Sequence, residues 1–430
     1  MKCRPWFAAL SHTNPRMRLL PWAELASRLP PSPPPSTTGL TLQRDRNGWC
    51  VNSARLWLAL EVKGLRYETA LVLASEAPAL CFPDGSVQTD TVAALRALDA
   101  ADPAAPPLWP PAGVEASAVD EMVEAFAATM PVAARDSTRA AYLFCREEGF
   151  QYEPLTRETF EATLDATELV LGRHQAAGPF LCGAAFSAAD AVWAPVLERY
   201  AAQLPCLHAG LRPRGGGWPR LARWYTAMDG VPAYACRVRG DAPSWRKVLS
   251  SSPWWPVGWP PRGGPDERGD PRGGALVLSE EEAAAEFGGG EATGALWADY
   301  AEGRPEVAPT PAAAAAAALV GNAEAVVRDA RAYGALAAEA PEAAYDEALR
   351  RLVGLLLLDQ EERVEEEAEE AEAEGDVDAL AAYLDERVCV PRDMGAPAAA
   401  ALRTLHLRRK LCGDGTRMVA APPVVQVNRF

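Results

Sequence analysis

A single cysteine stands directly before a predicted helix near the start of the chain. Residues 51–63 carry Leu56 and Leu60 four positions apart on one helical face, and Gly64 follows as a helix-ending residue. Cys50 therefore lies at the helix N-terminus, where unpaired backbone N–H groups and the positive end of the helix dipole favour the nucleophilic thiolate. A reactive thiol is one interpretation. A small buried apolar residue is the other, and for an isolated cysteine it is the more common one.

The elements around this helix indicate a small α/β domain. A short strand, LTLQ, precedes the helix, and the segment from Leu65 to Leu73 has the alternation and the β-forming residues of a second strand. Two short extended pieces follow and turn at Asp84-Gly85, a dipeptide typical of hairpins, before a helix at Thr91–Asp99. This order of elements predicts an α/β domain over residues 40–100.

The rest of the chain divides by composition. Residues 1–39 form a basic, Pro-rich N-terminal tail, and residues 110–250 carry helical signals alone. Residues 251–275 are too rich in Trp, Pro and Gly for a regular element, so we interpret them as a linker. Residues 276–430 are rich in Ala and Glu and predict a mostly helical extension.

Charge and cysteine content limit the classes of partner. The 430 residues carry a formal net charge of −16, which argues against nucleic acid or a membrane surface as the main partner. Nine cysteines occur without CxxC pairs or histidines at metal spacing, which is typical of free thiols in a reducing compartment. The apolar runs are too short to span a bilayer, so a soluble protein is expected. The basic start of the chain is typical of an organelle transit peptide or of any short basic tail, so the expected location is the chloroplast, another organelle or the cytoplasm.

The stretch WCVNSARLWLALEVKGLRYE resembles the N-terminal thioredoxin-like domain of glutathione transferases. The likeness is strongest to the cysteine-type members, which include the omega, lambda and dehydroascorbate-reductase-like classes. By this resemblance Cys50 falls on the catalytic cysteine, Ser53 on the second Cys or Ser position, and Arg55 on the helix arginine. A Cys-x-x-Ser motif with one thiol implies mixed-disulfide chemistry with glutathione rather than formation of protein disulfides.

The resemblance also implies where glutathione binds. Ala77 and Pro78 match a segment whose proline is cis in the family, and Ala77 would pair its backbone with the cysteinyl part of glutathione. Asp90 and Thr91 stand where a Glu-Ser pair normally holds the γ-glutamyl end. A carboxylate and a hydroxyl are both retained, so the groups needed to hold an ammonium and a carboxylate are kept in type. Glutathione as co-substrate follows from the resemblance.

Two later stretches resemble the helical C-terminal domain of the same family. In GPFLCGAAFSAADAVW, Ser187 and Asp190 predict a capping box at the start of a buried helix, which is a structural feature and not a site. WPRLARWYTAMDGVPAY resembles the segment near the family's last common helix. The resemblance covers roughly residues 40–250. It implies an α/β thioredoxin-like domain followed by an all-α glutathione transferase C-terminal domain, with a mostly helical C-terminal extension beyond.

A few other residues have two interpretations. Trp193 and Phe126 are either core residues or the lining of an acceptor pocket between the domains, and aromatic residues on helices usually belong to the core. His174 and His208 lack partners at metal-binding spacing, and Cys182 and Cys206 are expected to be buried structural thiols.

The chain departs from the family pattern between Tyr67 and Pro78. The family normally has a loop and a helix of about twenty residues there, carrying a basic residue that helps to hold glutathione. Here no basic residue lies between Arg66 and Arg96. Either that helix is absent and one wall of the glutathione site is open, or a segment has been lost from the coding sequence. Val51 is a smaller departure, because proline usually follows the catalytic cysteine.

The leading hypothesis is a glutathione-dependent thiol transferase or reductase in which Cys50 forms a mixed disulfide with glutathione. Its partners would be glutathione and a small or protein disulfide or electrophile, with no nucleic acid, no membrane and no metal, and the family makes a homodimer possible. The alternative is a non-catalytic, transferase-like scaffold or binding protein that uses the extension to hold a partner. A second alternative is a glutathione-conjugating transferase in which Ser53 stabilises the glutathione thiolate.

Overall fold

The computed structural model describes residues 19–31, 39–110, 114–131, 145–148, 151–174, 178–208, 210–251, 290–337, 339–358 and 375–412. The predicted linker beyond its first residue, and the Glu-rich run from residue 361 to 374, lie outside these residues. The described helices are α1 (Trp22–Ser27), α2 (Val51–Val62), α3 (Thr91–Ala101), α4 (Val114–Thr129), α5 (Arg157–Leu171), α6 (Ala188–Leu207), α7 (Pro219–Asp229), α8 (Ala242–Ser251), α9 (Gly290–Ala301), α10 (Pro311–Gly321), α11 (Ala323–Tyr333), α12 (Glu342–Leu357), α13 (Gly375–Arg387) and α14 (Ala396–Cys412). A π-helical turn, Tyr234–Val238, lies between α7 and α8.

A four-stranded mixed sheet forms the N-terminal domain, in the order β2-β1-β3-β4. Its strands are β1 (Thr41–Asp45), β2 (Glu68–Val72), β3 (Ala79–Cys81) and β4 (Val87–Gln88). β1 runs parallel to β2 and antiparallel to β3, which pairs antiparallel with β4. With α2 and α3 this is the thioredoxin-like arrangement that the sequence predicted, including the hairpin that turns at Asp84-Gly85.

Helix α2 is buried around most of its circumference. The sequence predicted one apolar face carrying Leu56 and Leu60, but Trp57, Leu58 and Ala59 between them are buried as well. The helix contacts β1 and α3 within its own domain and also α6 and the π-helical turn. A helix that is apolar on all sides is stable only when it is covered on all sides, and here the transferase-like helices cover the side that faces away from the sheet.

The connection from β2 to β3 contains no helix. Only residues 73–78 join the two strands, and the Glu76 carboxylate accepts the backbone N–H of Leu73 across 3.0 Å to close a tight turn. Either explanation of this departure from the family pattern, a true absence of the helix or a segment lost from the coding sequence, leaves the same short connection.

The helical domain is built around α6, whose residues are almost all buried. Helices α4 and α8 contact it, and α5 packs between α4 and α7. One expectation was wrong in detail. Residues 110–250 were expected to be helical alone, but β5 (Cys145–Glu148) and β6 (Gln151–Pro154) pair as an antiparallel hairpin. Only two residues separate these strands, so the hairpin is too short to show a clear sequence period.

The C-terminal extension has a hydrophobic core of its own, formed by apolar residues of α10 to α14. The short helix α1 belongs to this core, because Leu25 is fully buried in it and α1 contacts α10 and α12. Trp22 Nε1 also donates to Asp346 of α12 across 2.8 Å. The sequence predicted a single tail over residues 1–39, but in the structure Trp22–Ser27 packs against the extension. Residues 1–18 and 32–38 lie outside the described residues.

Polar contacts fix the extension to the transferase-like half. Arg403 of α14 forms ion pairs with Asp241 at the start of α8 and with Asp385 of α13. At the far end of α2, Tyr300 donates to the Glu61 carboxylate across 3.2 Å, and Arg304 donates to the Glu61 carbonyl across 2.9 Å. The two halves therefore share a specific interface that includes buried charge.

Membrane-spanning helices and metal-binding clusters are both absent from the described residues. None of the helices there has the length and apolar character needed to cross a membrane. Nor do three His, Cys, Asp or Glu side chains come together there in a way that would hold a metal ion.

Candidate functional site

Cys50 caps the N-terminus of α2 with its sulfur. The chain leaves β1 at Asp45, and the Asp45 carboxylate accepts the backbone N–H groups of Trp49 and Cys50 across 2.8 and 3.1 Å. Gly48 takes the positive φ of +70° that the turn between them requires. Cys50 Sγ then accepts the backbone N–H of Ser53 across 3.4 Å, in the position of an N-cap side chain. The predicted cysteine at a helix start is thus present, and its sulfur faces a helix N–H group.

Two buried arginines lie close to this sulfur. Arg55 donates to the Val192 carbonyl across 2.9 Å, and Arg199 donates to the Trp49 carbonyl across 2.7 Å. Burial lowers the pKa of Arg55 to about 10, and a negative charge on Cys50 acts in the opposite direction. Burial also lowers the pKa of Arg199, again opposed by charge on neighbouring groups that include Cys50. Both guanidinium groups therefore interact electrostatically with Cys50, and the start of α2 adds a backbone N–H donor to its sulfur.

The register of the sheet brings Pro78 and Asp90 to the same end as Cys50. Gln43 of β1 pairs with Ala79, so the bond between Ala77 and Pro78, which is cis, follows at the end where β1 leads into the Cys50 turn. Leu80 pairs with Gln88, and continuing that antiparallel register places Asp90 beside Pro78. The sheet register therefore brings the Ala77-Pro78 bond to the end of β1 that leads to Cys50, and Asp90 follows two residues after β4. The cis bond itself was also implied by the resemblance.

Asp90 and Thr91 differ in their accessibility. Asp90 is exposed, and its carboxylate caps α3 by accepting the backbone N–H of Ala93 across 2.7 Å. Thr91 is buried, as are Ala77 and Pro78. Of the four residues predicted to hold glutathione, Asp90 is the one that is exposed to solvent.

A loop of the extension covers Cys50. We call residues 388–395 the covering loop; it lies between α13 and α14. Pro391 forms part of the same cavity wall as Cys50, and Arg237 donates to the Pro391 carbonyl across 3.3 Å. A Cβ atom on Gly48 would lie 3.4 Å from Cβ of Arg392, so the loop is in direct contact with the Cys50 turn. Cys50 itself is 0% exposed, as in the more common of the two interpretations of an isolated cysteine.

The space left beside Cys50 is small. The cavity that Cys50 and Pro391 line has a volume of about 10 Å³ for the centres of water molecules. About one water-sized group fits in such a space. A tripeptide does not, so glutathione reaches this sulfur only when the covering loop moves.

Two charged residues that the sequence did not single out also line this cavity. Glu198 and Arg199 lie on α6, a helix whose sequence match had been interpreted as structural. Glu198 accepts the backbone N–H of Gly240 and the indole N–H of Trp245 across 2.7 and 2.6 Å. Burial raises the pKa of Glu198, although these hydrogen bonds and Arg199 act against it. The signal available was a Glu-Arg pair inside an otherwise apolar helix, since adjacent charges in a buried segment call for specific partners.

The remaining candidates belong to the core or the surface. Trp193 and Phe126 pack edge to face at 5.4 Å, and both are buried, so they form core and not an acceptor pocket. His174 lies 3.0 Å from the Glu121 carboxylate at the surface, whereas His208 is buried against Phe160. Of the two other thiols, Cys206 is buried and Cys182 is half-buried, close to the expectation for structural cysteines.

One protein-family model matches the helical domain. Residues 134–227 match the family model described as glutathione S-transferase, C-terminal domain. The chain carries a glutathione S-transferase C-terminal domain. The match spans α5, α6 and most of α7, and it includes Asp190 and the buried Glu198-Arg199 pair. It agrees with the sequence resemblance over the helical half.

Solved structures with a similar arrangement exist at low identity. Maleylpyruvate isomerase from Pseudomonas aeruginosa PAO1 is 20% identical, with 51% of this chain and 99% of that chain covered and a TM-score of 0.34. Glutathione transferase Omega 3C from Trametes versicolor is 14% identical, covering 48% and 84%, with a TM-score of 0.34. Dehydroascorbate reductase from Chlamydomonas reinhardtii is 17% identical, covering 51% and 92%, with a TM-score of 0.29. At these values the likeness carries no argument about activity. No curated protein sequence matches the chain.

Proposed function

We propose that the transferase-like half is a glutathione-dependent thiol transferase or reductase whose thiol site is covered by the C-terminal extension. The observation that supports this most directly is the position of Cys50, whose sulfur accepts the Ser53 N–H at the start of α2. The buried Arg55 and Arg199 lie within electrostatic range of this sulfur. The conjugating alternative, with Ser53 as the stabilising hydroxyl, stays a prediction, as does the possible homodimer.

Thiol transfer at this site would proceed in two displacements. The Cys50 thiolate attacks the glutathione sulfur of a mixed-disulfide substrate, forms the Cys50–glutathione disulfide and releases the substrate as its thiolate. The thiolate of a free glutathione then attacks the bound glutathione sulfur, which yields oxidised glutathione and restores the Cys50 thiolate. The protein contributes the Cys50 thiolate and the binding positions of Ala77 and Asp90. It supplies no net electrons, because the second displacement restores the Cys50 thiolate.

The residues present fit part of the glutathione molecule. The exposed Asp90 carboxylate and the cis bond between Ala77 and Pro78 support the proposed contacts with the γ-glutamyl ammonium and the cysteinyl part. The basic residue expected before Pro78 is absent from the turn of residues 73–78. We therefore expect weak glutathione binding that depends on Asp90.

Retention on immobilised glutathione tests this binding. Asp90→Asn removes the charge but keeps a good helix cap, whereas Asp90→Ala removes both and costs α3 about 1 kcal/mol of stability. We expect both variants to lose retention while Asp90→Asn keeps the thermal stability of the unaltered chain. Equal retention of all three proteins would contradict a γ-glutamyl site at Asp90.

Glutathionylation tests the reaction itself. The full chain is exposed to oxidised glutathione and then to reduced glutathione, and each cysteine-containing peptide is quantified by mass spectrometry. An adduct on Cys50 that reduced glutathione removes supports thiol transfer. Adducts spread over the other cysteines, with none on Cys50, would contradict it.

One specific observation favours the scaffold alternative. Cys50 is fully buried beneath the covering loop, in a cavity too small for glutathione. A scaffold would keep this loop closed permanently, so Cys50 would resist glutathionylation in native buffer and accept it only after unfolding. The glutathionylation experiment, repeated in denaturant, separates the two functions.

A further inference from the structure

The cavity beside Cys50 contains hydrogen-bond donors that lack acceptors. Ser53 and Arg199 both line it, with exposures of only 2% and 1%. Among the residues that the structure describes, neither the Ser53 hydroxyl nor Arg199 Nε has a hydrogen-bond partner. Buried polar groups are nearly always paired, so unpaired donors on residues that line one small space indicate that an oxygen atom or an anion belongs there.

The acidic groups in the same wall are already engaged. The two Asp45 oxygens accept backbone N–H groups of Trp49 and Cys50, and Glu198 Oε1 accepts from Gly240 and Trp245. Arg44 also lines the cavity and stacks on Trp57. The N-terminus of α2 adds to the positive field of the unpaired donors.

The size of the cavity selects the species that it can hold. A volume of about 10 Å³ for water centres accommodates one oxygen atom and excludes glutathione. The atom in the wall that can carry such an oxygen covalently is the Cys50 sulfur.

We propose that Cys50 is a peroxide-oxidised thiol and that the closed cavity holds the oxygen of its sulfenate. Hydrogen peroxide has two oxygen atoms, so it reaches the sulfur when the covering loop opens. The Cys50 thiolate then attacks one of its oxygens, the S–O bond forms and the O–O bond breaks, and the departing hydroxide takes the sulfenic proton and leaves as water before the loop closes. Sulfur is oxidised by two electrons and the peroxide is reduced. The Ser53 hydroxyl and Arg199 Nε then donate to the sulfenate oxygen. This step uses no glutathione, so it does not depend on the proposed function.

The closed cavity also explains why the sulfenate would persist. Sulfenates normally react onward with a second thiol, and no other cysteine lines this cavity. Cys389 is the candidate second thiol, since it lies in the covering loop and interacts electrostatically with Arg199, as Cys50 does. The proposal requires that Cys50 keeps its oxygen and does not form a disulfide with Cys389 while the loop stays closed.

The test uses the full chain, hydrogen peroxide and no glutathione. After brief oxidation and removal of peroxide by catalase, the protein is unfolded in guanidinium containing dimedone, which labels only sulfenates, and each cysteine is quantified by mass spectrometry. Cys206 and Cys236 are internal controls, because they are as buried as Cys50 but are not part of this cavity wall. We expect strong labelling of Cys50 and little labelling of these two.

Variants then test the role of the donors. Ser53→Ala removes one donor with little change in volume, and we expect the sulfenate lifetime to fall by at least about tenfold, as for loss of one hydrogen bond to a charged group. Thr167→Ala is the matched control, since it removes a buried hydroxyl that donates to the Thr163 carbonyl in α5. The control should leave the sulfenate lifetime unchanged.

Three results would overturn the proposal. They are Cys50 labelling no greater than that of Cys206 and Cys236, a Cys50–Cys389 disulfide in place of the sulfenate, and equal lifetimes in Ser53→Ala and the unaltered chain. Peroxide labelling of Cys50 in a protein that fails to take up glutathione would remove the proposed transferase function and leave this inference standing. Glutathionylation without peroxide labelling would do the reverse.

Discussion

The hydroxyl of Ser244 accepts the backbone N–H of Val390 across 2.9 Å, and both residues are fully buried. Ser244 lies in the first turn of α8, where its own N–H is capped by the Asp241 carboxylate at 2.9 Å. Val390 precedes Pro391, which closes the cavity over Cys50. This single hydrogen bond therefore joins a rigid helix start in the transferase-like half to the loop that controls access to the thiol.

Ser244→Ala should open the covering loop more often. The substitution leaves the Val390 N–H buried without an acceptor, which costs about 1–3 kcal/mol in the closed state. Because alkylation of a buried thiol requires opening, we expect N-ethylmaleimide to modify Cys50 at least about fivefold faster, the factor that corresponds to about 1 kcal/mol. Thr226→Ala is the control, since its hydroxyl makes an exposed bond within α7. Equal Cys50 rates in both variants would show that this bond does not hold the loop.

Arg403→Met should weaken the docking of the whole extension. It leaves Asp241 and Asp385 without their shared cation at a site where Arg403 is buried, and burial already lowers the pKa of Arg403 to about 10. Removing one partner from a buried ion pair costs about 3–5 kcal/mol. Arg331→Met provides the comparison, because its pair with Glu342 is exposed and should contribute no more than about 1 kcal/mol. Urea unfolding of both variants measures the difference, and similar losses would contradict the assigned role.

Asp190→Ala should destabilise the helical domain strongly. The buried carboxylate accepts hydrogen bonds from Leu181 N–H, from Ser187 N–H and hydroxyl, and from Trp224 Nε1, at 2.8 to 3.1 Å. Each donor left unsatisfied costs about 1–3 kcal/mol, so we expect a loss of at least about 3 kcal/mol in the free energy of unfolding. Asp165→Ala is closely matched, since Asp165 also accepts an indole N–H at 2.8 Å, from Trp218, but at an exposed position. A loss above about 1 kcal/mol there would show that burial is not the deciding factor.

The thiol of Cys182 should react slowly and with a steep pH dependence. Burial and then the charge of Asp190 raise its pKa to about 12. Since only the thiolate is nucleophilic, a raised pKa leaves the thiol protonated throughout the range from pH 7 to 10. The rate of iodoacetamide labelling at Cys182 should therefore rise about tenfold per pH unit across that range. Peptide mass spectrometry follows the labelling of Cys182 over time. A labelling rate that levels off near pH 9 would contradict the raised pKa.

Local patterns predicted the elements that carry the site. The helix after Cys50, the hairpin at Asp84-Gly85 and the capping role of Asp190 each depend on residues a few positions apart, so chain order contains the information. The missing helix before Pro78 was equally visible, because it is a matter of spacing alone.

The closure of the site was not predictable in the same way. It depends on contacts between residues far apart in sequence, such as Arg199 with Trp49 and Arg237 with Pro391. No periodicity links such pairs. The burial of Cys50 follows from these contacts, which is why the sequence could describe the thiol's local position and not its accessibility.

The place of α1 has a consequence for how the protein is made. Leu25 is synthesised before the transferase-like half, whereas the helices it packs against, α10 and α12, are synthesised after that half. The apolar face of α1 must therefore wait without its partners while some three hundred residues fold beside it. A chain that lost α1 to proteolysis during this interval would still build the sheet and the α6 domain, but it would complete the extension with a gap in its core where Leu25 belongs.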